Sequence, residues 1–131
     1  MSDHNSSAPT ATIAMVSIDC DDAKAMADFY GAVLGWQLAY ADDEGNYAML
    51  QDGDRRLGFG TIPDYQRPDW PNHGSKQFHL DLGAEDVDGT VARCVELGAT
   101  KPDDQPGGDR WTVLLDPAGH PFCVTNMANW G

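Results

Sequence analysis

Gln77-Phe78-His79-Leu80-Asp81-Leu82 alternates apolar and polar residues, and its reading decides the fold. A strand sends successive side chains to opposite faces, so Phe78, Leu80 and Leu82 share one face and His79 and Asp81 the other. The apolar face predicts a helix packed against it. The second face sets an imidazole beside a carboxylate. What raises its interest is that the chain around it repeats.

The first copy opens with Ile13 to Cys20, which alternates with Met15, Ser17 and Asp19 on one face. Asp21 or Asp22 is placed to cap a helix carrying Ala25, Met26, Phe29, Tyr30, Val33 and Leu34 at helical spacing, and Gly35 stops it. Strands follow at Trp36–Tyr40, Tyr47–Gln51 and Leu57–Ile62, the last two joined across Asp52-Gly53-Asp54. A Pro-rich spacer, 63–75, then interrupts the pattern. The second copy restarts with the strand at Gln77–Leu82. Asp86 opens a helix with Val87, Val91, Val95 and Leu97 on its buried side, and Gly98 ends it. A short strand is expected at Ala99–Lys101, then strands at Trp111–Leu115 and Pro121–Asn126 about an Asp116-Pro117-Ala118-Gly119 turn. His79 lies 64 positions after Met15, Trp111 64 after Tyr47, and Cys123 64 after Phe59. A fixed offset marks an internal repeat, here a βαβββ unit occurring twice.

The totals bound the function. Eight Lys+Arg against 21 Asp+Glu give a net charge of −13 over 131 residues. That argues against a nucleic-acid partner, whose phosphates need clustered basic residues, and favours a small-molecule ligand of cationic character. Three cysteines, Cys20, Cys94 and Cys123, lack disulfide or zinc-knuckle spacing, which suits a reducing, cytoplasmic setting. No apolar run is long enough for a membrane helix, so no membrane partner is expected. Residues 1–11 read as a disordered tail. Residues 12–131 read as one domain, with module one at 12–62 and module two at 76–128.

Phe29-Tyr30 before Val33-Leu34-Gly35-Trp36, then His79-Leu80-Asp81, then Asp116-Pro117-Ala118-Gly119-His120-Pro121-Phe122-Cys123, together resemble the vicinal oxygen chelate superfamily and its glyoxalase and bleomycin-resistance-like branch. The resemblance implies an α+β fold in which two tandem βαβββ modules curl mixed sheets around a cup. It also implies a homodimer. Metal enzymes of the superfamily take one ligand from the first and last strand of each module, which carries over to Met15, Phe59, His79 and Cys123. Only His79 keeps a typical ligand there.

With those departures no metal and no cofactor are expected, although His79, Asp81 and Cys123 form an acceptable donor set for zinc. Parity places Met15, Ser17, Asp19, Phe59, Cys123 and Thr125 in the cup, with Tyr47, Met49 and Trp111 from the hairpins and Trp70 from the spacer over its rim. His79 and Asp81 are the candidate proton-transfer pair. The reading is a metal-independent cup that binds a small molecule, in a sequestering or self-resistance role. The alternative is a lyase, isomerase or hydrolase that uses the His–Asp pair or a non-standard metal site.

Overall fold

Each helix starts where a carboxylate meets its first turn. Asp22 accepts from the Ala25 N–H at 3.1 Å and opens α1 (Ala23–Leu34), while Asp86 accepts from the Gly89 N–H at 3.0 Å and opens α2 (Val87–Glu96). Gly35 ends α1 at φ 72°, a conformation that costs glycine little. The computed structural model describes residues 13–69 and 79–130. Around α1 stand β1 (Val16–Cys20), β2 (Gln37–Ala41), β3 (Tyr47–Asp52) and β4 (Arg55–Thr61). Around α2 stand β5 (Leu80–Ala84), β6 (Trp111–Leu115) and β7 (Pro121–Asn126), and a 3-10 turn at Met127–Trp130 closes the described chain. Trp70, and the Gln77-Phe78 start of the quoted stretch, lie outside the described residues.

The first sheet has the order β1-β4-β3-β2 and the second β5-β7-β6. In both, the opening strand runs parallel to the last strand of its module, and the remaining neighbours are antiparallel. The architecture is therefore α+β, two modules with open, mixed sheets. One apolar cluster joins them: Met26, Phe29 and Tyr30 of α1 meet Phe59 of β4 and Phe122 of β7. Tyr30 stacks on Phe59 at 5.7 Å between ring centroids and meets Phe122 edge-on at 5.9 Å.

Two expectations need correction within the second module. Val95 is 45% exposed, and Cys94 takes the buried place at 1%. At 3.6 residues per turn, two turns on from Val87 arrive at position 94 and not at 95. The strand expected at Ala99–Lys101 shrinks to a single pair, Thr100 with Leu115. Gly98 at φ 122° precedes it, and Pro102, which has no N–H to give a ladder, follows. The Gln105 side chain replaces the lost strand. Its amide accepts from the Val113 N–H at 2.8 Å and donates to the Val113 carbonyl at 2.9 Å, as a neighbouring peptide group would.

Candidate functional site

The hydrogen-bond register shows which side chains share a face. Asp81 stands opposite Cys123, which stands opposite Val113, and Gly83, Thr125 and Trp111 continue the same face. Val113 and Cys123 are buried yet belong to no part of the main apolar cluster, because that cluster occupies the helix side. On the first sheet Ser17 stands opposite Gly58, which stands opposite Met49, and Asp19 opposite Gly60, which stands opposite Tyr47. Tyr47 donates its hydroxyl to the Met15 sulfur at 3.3 Å, and the two close over Gly58. A Cβ on Gly58 would fall 2.7 Å from that sulfur, so the Met15 and Tyr47 side-chain ends would have to shift to admit one.

Phe59 corrects the sequence reading. It lies opposite Ile18 and Ala48, is 0% exposed and stacks on Tyr30, so it belongs to the core and not the cup. The cause is a difference in turns. Two residues, Gly53 and Asp54, join β3 to β4, whereas Asp116–His120 join β6 to β7. The second hairpin is longer, so a constant offset of 64 slips by one after it. By register the counterpart of Cys123 is Gly58, each facing the odd-numbered residue of its opening strand.

The opening strands β1 and β5 are both sheet edges, and a cavity of ≈ 540 Å³ lies between them. Val16, Ser17, Ile18 and Asp19 form one wall, and His79, Leu80, His120 and Pro121 form the other, with Tyr30 also lining it. Main-chain polarity follows from the parallel ladder. Cys20 accepts from the Ile62 N–H at 2.9 Å on the β4 side, so the alternate residues Ser17 and Asp19 turn their amides and carbonyls towards the cavity. The Asp19 carbonyl meets His120 Nε2 at 2.6 Å. A carbonyl only accepts, so that nitrogen carries the proton, and the Tyr65 hydroxyl 3.1 Å away donates instead to the Ala118 carbonyl at 2.9 Å. Burial pushes Tyr65 up to about 12.

Beneath this network Asp116 is 1% exposed. It accepts from the Tyr30 hydroxyl at 2.7 Å and from the Ala118 and His120 N–H groups at 2.9 and 3.0 Å. Burial raises its carboxyl above the ordinary value, and the Tyr30 hydrogen bond is the strongest influence holding that rise back. The carboxylate therefore shapes the turn and ties α1 to the second module.

On the other wall His79 Nε2 lies 3.3 Å from Asp81 Oδ1. One donor atom from each of His79, Asp81 and Cys123 lies within 4.8 Å of the others. Ser17, Asp19 and His79 line the cavity, and Asp81 and Cys123 stand beside His79. Met15, Tyr47 and Met49 share the inner face of the first sheet, and Trp111 and Thr125 that of the second, where the Trp111 ring covers Gly107 and Thr125 bonds the Arg110 carbonyl. His120 was missed. The available signal was its place directly after the Asp116–Gly119 turn and immediately before β7.

The family model of the glyoxalase-like domain matches residues 15–125. The chain belongs to that family. Solved structures agree on the fold. A glyoxalase/bleomycin resistance protein/dioxygenase family enzyme from Burkholderia phytofirmans superposes with a TM-score of 0.65 at 22% identity, covering 88% of this chain and 98% of that one. A lactoylglutathione lyase from Agrobacterium tumefaciens gives 0.61 at 23% identity, covering 94% and 98%. A possible glyoxalase from Bacillus cereus gives 0.65 at 19%, covering 87% and 97%. No curated protein matches the sequence. Among the described residues no helix is long and apolar enough to cross a membrane.

The four-ligand metal centre that the superfamily implies does not fit this glyoxalase-like chain. It needs two donors from the first module, and β4 offers Gly58 and Gly60 where its residues face Ser17 and Asp19. Met15 supplies a thioether already engaged by Tyr47.

Proposed function

We propose that this glyoxalase-like protein binds a small organic molecule in the cleft between β1 and β5, without the superfamily's four-ligand metal centre. The observation that carries the reading is the ≈ 540 Å³ cavity bounded by both modules, a volume within the range of small-molecule sites. Val16, Ile18, Leu80 and Pro121 supply apolar contact. Ser17, His79 and His120 supply a few directed hydrogen bonds. The net charge of −13 and the Asp19 carboxyl at the wall favour a cationic or amphipathic ligand. Sequestration or self-resistance is the role that suits such a binder. The exposed edge strand β2, with Leu38 and Tyr40 51% and 52% exposed, supports association of two chains, which sedimentation of the purified protein checks.

A thermal-shift screen of small cationic and amphipathic compounds tests the reading. Compounds that raise the melting temperature of the natural chain should lose that effect in Ser17→Trp, whose ring fills the cleft. Equal shifts in both proteins would place the ligand elsewhere. The 3.3 Å His79–Asp81 pair favours a second reading, an enzyme in which His79 moves a proton and Asp81 orients its ring. Turnover abolished in His79→Gln with binding retained would select that reading.

A further inference from the structure

We propose that His79, Asp81 and Cys123 form a site for a zinc-like divalent cation carried wholly by the second sheet. Asp81 and Cys123 face each other across the β5–β7 ladder, and His79 precedes Asp81 by two residues on the same face. All three donor atoms lie within 4.8 Å of one another. His79 Nε2 and Asp81 Oδ1 are 3.3 Å apart. Two ligands each ~2.0 Å from a tetrahedral zinc are about 3.3 Å apart, so this pair already has the spacing of a chelate edge. The thiol needs to close by about 1 Å to reach the slightly longer edge that a Zn–S bond sets. A change of side-chain torsion supplies that movement.

The donor set selects the ion. Thiolate, imidazole and carboxylate together suit zinc and cobalt, whereas magnesium and calcium take oxygen ligands and retain water. Cys123 is 3% exposed, while the His79 and Asp81 side chains are 32% and 41% exposed. The sulfur therefore sits inside and the other two donors open an entry path from solvent. This arrangement differs from the two-module centre ruled out above, since β1 and β4 contribute no donor to it. Three protein donors leave one tetrahedral position for water or another molecule. His79 also lines the cleft, so the cation site adjoins it. The inference stands whether or not the cleft takes an organic ligand. Binding requires an ionised thiol and a neutral imidazole, so affinity falls as the solution is acidified.

The test is titration of the full-length, chelator-stripped, reduced chain with cobalt(II) alone, followed by ultraviolet and visible absorption. One equivalent should generate a thiolate-to-cobalt charge-transfer band, which zinc abolishes by displacement and magnesium leaves untouched. Cys123→Ser should remove the band, and Cys94→Ala should keep it. Asp81→Asn, at a solvent-accessible position, should weaken cobalt binding by at least about tenfold, the smallest loss usual even for an outer-sphere partner. A folded natural chain with no charge-transfer band overturns the proposal. So does a band that survives Cys123→Ser, or cobalt affinity unchanged in Asp81→Asn should the cysteine variant fail to fold.

Discussion

Asp116 accepts three hydrogen bonds, from Tyr30, Ala118 and His120, and is almost wholly out of solvent. Its folded-state proton affinity is raised by burial from the ordinary 3.8. In the window from 3.8 up to the folded value, the folded chain holds a proton that the unfolded chain has released. Its contribution is therefore fully present below 3.8 and is lost as pH rises through the folded value. The Tyr30 hydroxyl eases that loss by stabilising the charge. Tyr30→Phe should cost about 1–3 kcal/mol at neutral pH, the cost of leaving a buried acceptor unpaired, and less in acid, where the carboxyl is neutral. Urea unfolding at the two pH values checks this, and equal losses at both would refute the assignment.

Among the elements, the sequence made most strands and both helix stops legible because they depend on local signals: alternation, an Asp cap and a Gly after the last turn. The helix in each copy begins at the capping aspartate, Asp22 or Asp86. What local signals could not supply was register across a turn. The hairpin about Asp116–His120 exceeds the one at Gly53–Asp54, and that difference moved Phe59 from the expected cup into the core. His79, Asp81 and Cys123, by contrast, depend on one parallel ladder with no such slip between them, and their donor atoms lie within 4.8 Å of one another. Phe59→Ala should therefore destabilise the fold by about 3–5 kcal/mol and leave ligand affinity in the surviving folded protein unchanged. Loss of binding at unchanged stability would return Phe59 to the cup. The substitution of a strand by the Gln105 amide was also beyond the pattern, because a side chain imitates a peptide there. Gln105→Ala should cost about 1–3 kcal/mol and speed hydrogen exchange at the Val113 amide, which is 0% exposed in the folded chain. Unaltered exchange would show that Gln105 does not protect that edge.

At the scale of the whole molecule, two modules meet through one aromatic cluster on the helix side and part on the other, where the edge strands β1 and β5 bound a cavity. The arrangement makes the cleft a joint property: neither sheet encloses it alone, and the Asp19–His120 contact at 2.6 Å spans the two modules beside it. On the proposed reading, the net charge of −13 steers a cationic ligand towards the protein, and the cleft walls decide what stays. The most direct measurement is an amide-resolved NMR titration with a compound that raises the melting temperature. The account predicts that Ser17 and Asp19 on β1 and Leu80 on β5 shift together along one binding curve. Shifts confined to one sheet, or centred on Leu38 and Tyr40 of β2 with the cleft residues still, would contradict it.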